Sequence, residues 1–252
     1  MNYTPQELMV AAAAREIRDG EIVFVGMRLP LIAFALARET HAPTAVGLFE
    51  LGVVREAPAP ELLYTMGDPP NIAGATWCAH MIDLMGLMQA GAVHAGFIGG
   101  AEIDRYGNLN TSYIGTPQAP QVKLPGSGGA ADIASLAQRL LIIMPHERRR
   151  FVERVGYITS PGYGDGPGWR ERVGLLRGGP AAVITTLGVL GFDPATREAV
   201  LRSFHPRQSV ESLRANTGWQ LQIAPDVHET PAPTVAELAI IRRYDPAGFW
   251  TR

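Results

Sequence analysis

Cysteine is almost absent from this sequence: Cys78 is the one cysteine among 252 residues. A single cysteine excludes an internal disulfide framework and any thiolate-rich metal site. Because Cys78 stands beside Trp77, we interpret it as a small buried apolar residue rather than as a nucleophile. The six histidines are scattered without the spacing of metal ligands, so the sequence predicts no metal site.

Basic clusters and long apolar runs are also missing. The formal net charge is −2, and the densest basic run, Arg148–Arg150, is short and follows an acidic residue, which is typical of a solvated helix end rather than of a nucleic-acid surface. The N-terminus, MNYTPQEL, lacks the charge and apolar stretch of a signal peptide. No stretch approaches the ~20 apolar residues of a membrane-spanning helix. We therefore expect a soluble, cytoplasmic protein that binds neither nucleic acid nor membranes.

Helical and strand patterns alternate along the chain. Thr4 and Glu7 have the spacing of a capping box with Pro5 between them, which predicts a helix over 4–19. A buried strand is predicted over 21–27, a second helix over 30–39, and another apolar run follows over 45–54. This alternation predicts an α/β fold, with an open, mainly parallel sheet and flanking helices, in a single domain over 1–252.

The rest of the chain continues the pattern. Strands are predicted within 94–104 and 140–145, and a strand pair within 181–193 that turns at Leu187 and Gly188. A last helix is predicted from Thr234 to Tyr244.

Glu50 is the first candidate for chemistry. Its neighbours on both sides are apolar, and a carboxylate inside a buried run is costly unless it is paired or functional. Ligands of open α/β sheets bind beyond the carboxyl ends of the strands, where a Glu that precedes Gly52 would stand. The alternative is that Glu50 only marks the point at which the strand reaches water.

A glycine-rich loop, LPGSGGAAD (124–132), is the second candidate. Glycine lets backbone N–H groups converge on an anion, and the helix that follows adds positive partial charge. Such an element can hold a phosphate or stabilise an oxyanion. The loop lacks the residues of a Walker A motif, and a tight strand-to-helix turn is the alternative.

Two further loops carry polar side chains with open roles. In 99–112, Asn108 and Asn110 either orient a substrate oxygen or cap a turn. In 160–172, Arg170 and Arg172 either pair with nearby acidic residues or bind a carboxylate-bearing substrate. Nothing local decides between these alternatives.

Taken in order, these stretches resemble the β subunit of glutaconate CoA-transferase, a family I CoA-transferase, along nearly the whole chain. The matching stretches are VGMRLPLI, HAPTAVGLFELG, FIGGAEIDRYGNLNTS, LPGSGGAADIAS, MPHERRRF, TSPGYGDGPGWRER and NTGWQL. The resemblance implies the fold that NagB, RpiA and the CoA-transferases share. It also implies CoA transfer through a glutamate, and Glu50 is the matching residue.

In that family the catalytic glutamate forms an acyl-glutamyl anhydride and then a glutamyl-CoA thioester. The GSGGA stretch matches the family's glycine loop, which implies that Ser127, Gly128 and Gly129 bind the substrate or its oxyanion, with Gly128 and Gly129 as backbone donors. Asn108 joins them as a substrate-binding candidate. Coenzyme A is expected as a substrate, without a permanently bound cofactor or metal.

The resemblance also implies a partner, because single-chain members carry two such halves in tandem and this chain matches one half. An α subunit of the same CoA-transferase is therefore expected. One departure is Leu51, which stands where the family commonly has a small serine, and this leaves the natural acid open. The alternatives to transfer are acyl-CoA hydrolysis, or C–C cleavage or decarboxylation, with Glu50 as general base, and a purely scaffolding role.

Overall fold

The computed structural model describes residues 2–175 and 177–252. Its helices are α1 (Pro5–Ala14), α2 (Leu29–Glu39), α3 (Pro69–Ile72), α4 (Met81–Gln89), α5 (Ala130–Leu136), α6 (Trp169–Arg172), α7 (Val210–Ala215) and α8 (Val235–Tyr244). Its strands are β1 (Ile22–Phe24), β2 (Val46–Phe49), β3 (Val53–Arg55), β4 (Trp77–Cys78), β5 (Ala95–Ile98), β6 (Glu102–Ile103), β7 (Leu109–Asn110), β8 (Tyr113–Gly115), β9 (Pro120–Lys123), β10 (Arg139–Met144), β11 (Pro180–Thr185), β12 (Gly188–Phe192), β13 (Ala199–Phe204) and β14 (Gln222–Glu229).

These elements form two compact units within the chain, and the single domain over 1–252 stays a prediction. The first unit runs to Phe97 and takes up the C-terminal segment Ala232–Arg252, and the second unit is Ile98–Pro231. The two units are described in turn below.

In the first unit the strand order is β5-β1-β2-β3-β4. β1 pairs in parallel with β2 and with β5, and β3 and β4 continue the sheet in antiparallel pairing. β5 is buried along its whole length, and β1 and β2 nearly so, as expected for strands with both faces covered. Helices α1, α2 and α8 pack on one another.

The predicted start of α1 is confirmed. The Glu7 backbone N–H donates to Thr4 Oγ1 at 3.0 Å, and the Glu7 carboxylate accepts from the Thr4 backbone N–H at 2.8 Å. This reciprocal pair satisfies two amides that have no partner within the helix. The predicted end at 19 is wrong, because α1 stops at Ala14 and the chain turns so that Ile17 is buried in the core.

In the second unit β10 pairs in parallel with β11, β11–β12 and β12–β13 are antiparallel, and β13–β14 is parallel. The predicted strand pair with its turn at Leu187 and Gly188 is confirmed as β11–β12. Two small antiparallel sheets, β6–β7 and β8–β9, belong to the same unit.

The predicted α/β class, with parallel strands and flanking helices, is confirmed. Within 2–175 and 177–252, no helix is both long enough and apolar enough to cross a membrane.

Two buried histidines are fixed by hydroxyl groups in the second unit. His146 Nδ1 and Nε2 lie 3.1 Å from the hydroxyls of Thr185 and Thr217. His205 Nδ1 lies 3.0 Å from the Thr230 hydroxyl and Nε2 lies 2.8 Å from the Thr185 carbonyl oxygen. Burial lowers the pKa of His146 to about 3 and that of His205 to about 4. Both rings are therefore neutral in the folded protein at neutral pH.

This pair predicts a loss of stability in mild acid. Both imidazoles titrate near 6.5 once unfolded, so below that pH the unfolded chain binds more protons than the folded one. The free energy of unfolding therefore falls as pH drops from 6.5 towards 4. The two rings together account for about 4 kcal/mol of this loss by pH 5. Urea unfolding at pH 7.5 and pH 5 measures it.

The matched variants are His146→Gln and, as a control, His228→Gln, because His228 is exposed. The pH dependence of the free energy of unfolding counts the protons that the chain takes up on unfolding. We expect His146→Gln to lower that number by about one and His228→Gln to leave it unchanged. A free energy of unfolding that is the same at both pH values contradicts the assignment of two neutral buried histidines.

Candidate active site

Glu50 is the first residue after β2, in the turn Glu50–Gly52 that joins β2 to β3. β2 lies parallel to β1, so Glu50 stands at the carboxyl end of a parallel strand, where ligands of open α/β sheets bind. The side chain is half-buried. The residue before it, Phe49, packs its ring edge-on against Phe34 of α2, with ring centroids 6.1 Å apart. Rigid elements therefore fix the base of the turn.

Gly52 fixes the other side of this turn. Its φ is +105°, a conformation that side chains rarely adopt, and a Cβ there would lie closer than 3.0 Å to the Ala79 carbonyl oxygen. The Gly52 backbone N–H donates to the Phe49 carbonyl at 2.9 Å, and the Ala79 N–H donates to the Gly52 carbonyl at 2.8 Å. Glycine is thus required two residues after Glu50, by both the backbone conformation and the close approach of Ala79.

Leu51 lies at the surface next to Glu50. Its side chain is 58% exposed, and a Cβ added to Gly67 would lie 2.8 Å from Leu51 Cδ1. Gly67 belongs to the long connection between β3 and β4, so this connection forms one wall beside the turn. Leu51 and Gly67 therefore make an apolar contact beside Glu50.

Arg55 holds that connection on the sheet. It is 3% exposed and lies at the end of β3. Its guanidinium donates to the backbone carbonyls of Ala57, Pro58, Pro70, Asn71 and Ala73. Burial lowers the pKa of this guanidinium. The loop wall beside Leu51 is therefore tied to the same hairpin that carries Glu50.

The interpretation of Cys78 as a buried residue is wrong, because Cys78 is exposed. It lies in β4, which is the last strand in the order of the first unit and pairs with β3 on one side. An edge strand leaves one side open, and both residues of β4 are exposed.

The glycine loop joins β9 to α5 in the second unit. Gly126 and Gly128 have φ of +94° and +50°, and Gly129 is the N-cap of α5, which begins at Ala130. The Ala130 N–H donates to the Ser127 carbonyl at 2.9 Å, and the Ser127 hydroxyl donates to the Gly128 carbonyl at 3.0 Å. Gly128 is exposed, Ser127 is half-buried and Gly129 is buried. The loop therefore forms the tight strand-to-helix turn of one alternative. It also exposes the backbone of Gly128, which the oxyanion-binding alternative requires.

Asn108 lies in the core of the second unit and is 1% exposed. Its amide donates to both oxygens of Asp104 and to the Gly164 carbonyl, at 3.0–3.1 Å and 2.8 Å. Its Oδ1 accepts from the backbone N–H groups of Gly162 and Gly164, both at 3.0 Å. Burial raises the pKa of the Asp104 carboxyl, against the effect of these donors. The bonds favour the turn-capping alternative for Asn108 over the substrate-binding one.

Asn110 has a similar structural position. Its amide donates to Glu102 Oε2 and to the Tyr113 carbonyl, each at 2.8 Å. The two residues that follow it, Thr111 and Ser112, accept from Gly126 and Leu124 of the glycine loop through their carbonyls, at 2.8 and 3.0 Å. The structure thus brings the segment after Asn108 together with the glycine loop, within the second unit.

Arg170 and Arg172 differ in their surroundings. Arg172 makes an exposed ion pair with Asp165 at 2.6 Å, in agreement with one of the two sequence alternatives. Arg170 is 5% exposed and donates to backbone carbonyls instead, an arrangement that neither alternative anticipated. Along 2–175 and 177–252, no group of His, Cys, Asp and Glu side chains is placed to hold a metal ion.

The predicted site residues are divided between the units. Glu50 belongs to the first, and Asn108, Ser127, Gly128 and Gly129 belong to the second. The glycine spacing signalled the turn at Gly52 and the loop before α5. Arg55 and Arg170, which are buried and donate to backbone carbonyls near these turns, were missed as structural anchors because arginine usually indicates a solvated residue.

Comparisons with known proteins show what this chain is similar to. The family model described as coenzyme A transferase matches residues 6–216. The chain is 38% identical to the B subunit of 3-oxoadipate CoA-transferase from Pseudomonas knackmussii, over 95% of this chain and 92% of that protein. It is also 38% identical to the B subunit of glutaconate CoA-transferase from Acidaminococcus fermentans, over 97% of this chain and 94% of that protein.

The crystal structure of glutaconate coenzyme A-transferase from Acidaminococcus fermentans has the same fold as this chain. The TM-score is 0.93 at 35% identity, with 100% of this chain and 98% of that chain covered. The resemblance inferred from the ordered motifs is therefore confirmed. This chain belongs to the coenzyme A transferase family.

Proposed function

We propose that this chain is the catalytic subunit of a CoA-transferase that moves coenzyme A between an acyl-CoA and a carboxylic acid, with Glu50 as the nucleophile. The observation that carries the proposal is the position of Glu50 at the carboxyl end of β2, in a turn that Gly52 fixes. Two relatives that are 38% identical over nearly the whole chain are named as CoA-transferase subunits. They favour transfer over hydrolysis, C–C cleavage or scaffolding.

The reaction is a double displacement on one carboxylate. Glu50 attacks the thioester carbonyl, and the C–S bond breaks to give an acyl-glutamyl anhydride and the CoA thiolate. The thiolate then attacks the Glu50 carbonyl of the anhydride, which gives a glutamyl-CoA thioester and releases the first acid. The second acid repeats these steps in reverse order, so the new acyl-CoA leaves and the Glu50 carboxylate is regenerated. No water and no net proton are consumed.

The surroundings of Glu50 suit these intermediates. An anhydride and a thioester are both lost if water reaches them, so the nucleophile must be screened from solvent. Phe49, which precedes Glu50, is buried, and Leu51, which follows it, makes an apolar contact with Gly67. Glu50 itself is half-buried. A carboxylate also needs no general base to become a nucleophile.

The second requirement is a donor for the oxyanion that forms at the attacked carbonyl. We assign this role to the backbone N–H groups of Gly128 and Gly129, with Ser127 beside them. Gly128 is accessible and Gly129 is at the N-terminus of α5, where backbone donors and the helix dipole favour negative charge. The assignment follows from the matching GSGGA stretch of the family.

A second polypeptide is part of the same proposal. Both relatives that are 38% identical to this chain are named as B subunits of their enzymes, so we expect an α subunit that completes the site. Glutaconate and 3-oxoadipate are dicarboxylates. Short dicarboxylic acids and their 3-oxo derivatives are therefore the first acceptors to test.

An isotope-transfer assay on the protein purified with its α subunit tests this function. The complex is incubated with an acyl-CoA and an isotopically labelled acceptor acid, and the CoA esters are separated by chromatography. We expect the label to enter the CoA ester while the concentration of free CoA stays constant. Free CoA that accumulates without an acceptor acid shows a hydrolase instead, and release of carbon dioxide from the acyl-CoA shows a decarboxylase.

A further inference from the structure

Arg170 is a buried cation whose hydrogen-bond partners, within the part of the chain that the structure describes, are all uncharged. It is 5% exposed. Its guanidinium donates to the backbone carbonyls of Ala134, Ser135, Pro161, Gly162 and Arg177. Burial lowers the pKa of this guanidinium. Burying a charge without a carboxylate partner is costly, so the side chain does more than fill space.

Two of these acceptors lie at the C-terminal end of α5. Arg170 Nη2 lies 3.2 Å from the Ala134 carbonyl oxygen and 3.3 Å from that of Ser135. The last carbonyls of a helix have no partner within the helix, and a cation there also interacts favourably with the helix dipole. Arg170 thus satisfies two of these carbonyls and places a positive charge at the C-terminal end of α5.

The other acceptors anchor the guanidinium itself. Nη1 donates to the Gly162 carbonyl at 2.9 Å, and Nε donates to the Arg177 carbonyl at 3.1 Å. Gly162 is in turn held through its N–H by Asn108, at 3.0 Å. These bonds hold the guanidinium to two segments outside α5. The position of the guanidinium therefore determines where the C-terminal end of α5 lies.

α5 is short enough to transmit this constraint. The helix has 7 residues, Ala130–Leu136, and Gly129 is its N-cap, so about 10 Å separates the Arg170 contacts from the glycine loop. Because hydrogen bonds within so short a helix connect its two ends, we expect a shift at its C-terminus to displace its N-terminus as well. Misplacing a group at a reacting centre by about 1 Å costs on the order of 10²-fold in rate.

We propose that Arg170 is a positioning residue for CoA transfer: it holds the C-terminal end of α5 and so sets the backbone N–H groups of Gly128 and Gly129. The proposal rests on the oxyanion role given to those glycines under the proposed function. Arg170 acts through the helix and does not touch the substrate. A fork of five N–H groups directed at carbonyls of three segments is something that neither lysine nor an apolar residue can supply.

The test compares Arg170→Lys and Arg170→Ala with Arg172→Ala in the complex with the α subunit. Arg172 is a matched control because it is in the same helix but pairs with Asp165 at the surface, where ion pairs contribute little. We expect kcat to fall by about 10- to 100-fold in both Arg170 variants, with KM for the acyl-CoA within about 2-fold of the wild-type value, since ground-state binding is unaffected. Arg172→Ala should keep both parameters.

Two readouts separate positioning from general destabilisation. Methylguanidinium added to Arg170→Ala should restore kcat at least in part, because a cavity of 100 Å³ borders Arg170 and admits a small cation. It should not affect the other variants. Backbone amides of 126–131 should exchange hydrogen faster in Arg170→Lys than in the wild type, and at the wild-type rate in Arg172→Ala.

The outcomes are distinguishable from failure of the proposed function. If the wild-type complex transfers no CoA, the exchange rates of 126–131 still show whether Arg170 positions the loop. Wild-type kcat in Arg170→Lys together with unchanged exchange in 126–131 overturns the proposal. So does a loss of kcat that matches the loss of folded protein and is not rescued by methylguanidinium.

Discussion

Replacing Glu50 by Gln should reduce CoA transfer by about 10³-fold or more. Gln keeps the size and shape of the side chain, but its amide is not a nucleophile and cannot form the acyl anhydride, so every later step is lost. Glu50→Asp should also be strongly impaired, by about 10²-fold, because the shorter side chain withdraws the carboxylate from the carbonyl by roughly 1 Å or more. Initial rates of acyl exchange in the complex with the α subunit measure both effects.

The matched control is Glu56→Gln, which removes an exposed carboxylate just after β3 in the same unit. We expect its rate and its free energy of unfolding to stay near the wild-type values, since surface substitutions usually change stability by less than about 0.5 kcal/mol. Glu50→Gln should fold as well as the wild type. Transfer by Glu50→Gln within a few-fold of the wild-type rate would show that another group is the nucleophile.

Gly52→Ala should be the most destabilising single-methyl change near the site. The new Cβ would meet the Ala79 carbonyl oxygen inside 3.0 Å, and alanine is strained at a φ of +105°. Overpacking against backbone and a disallowed φ together cost about 4 kcal/mol. The turn must also shift, which moves Glu50, so transfer should fall by about 10²-fold in the protein that still folds. Chemical unfolding and the acyl-exchange assay measure the two effects.

Gly86→Ala is the control for this substitution. Gly86 lies inside α4, and a Cβ there meets no atom within 4 Å. Alanine should therefore stabilise the helix by about 0.5–1 kcal/mol and leave the rate unchanged. Equal stability of the Gly52→Ala and Gly86→Ala variants would contradict the description of the Glu50 turn.

Local sequence rules predicted the elements whose causes are local. The capping box at Thr4 lies where the residue spacing placed it, because the groups that form a capping box are three residues apart. The helix predicted from Thr234 to Tyr244 is also present, with Thr234 as its N-cap. The hairpin of β11 and β12 was likewise visible from its turn residues. Glu50 was placed at a strand end because its neighbours are apolar and a glycine follows.

Features that depend on distant partners were not predictable. Cys78 was interpreted as buried because it stands beside Trp77, and no local signal marks β4 as the edge strand that exposes it. The amide of Asn108 is used by Asp104 and by two glycines more than fifty residues away, which a turn pattern does not show. Arg170 was assigned to an ion pair or a substrate, whereas its acceptors are backbone carbonyls, two of them in α5 and more than thirty residues away in the sequence.

The roles of the site residues came from the resemblance rather than from local chemistry. The apolar setting of Glu50 is compatible with a strand end that simply reaches water, and the glycine loop is compatible with an ordinary turn. The order of the motifs along the chain made the catalytic reading the stronger one. The structure adds physical reasons why these elements are fixed. Gly52 approaches Ala79 closely in the Glu50 turn, and the buried Arg55 and Arg170 bind the backbone of neighbouring segments.

Chemical trapping of the intermediate on Glu50 tests the central claim most directly. The complex is incubated with acyl-CoA in the absence of an acceptor acid, treated with borohydride, digested and analysed by peptide mass spectrometry. A glutamyl-CoA thioester predicts that Glu50, and no other carboxylate of this chain, is reduced to the alcohol, and only when acyl-CoA was present. An unmodified Glu50 peptide from a preparation that is fully active in CoA transfer would contradict the account.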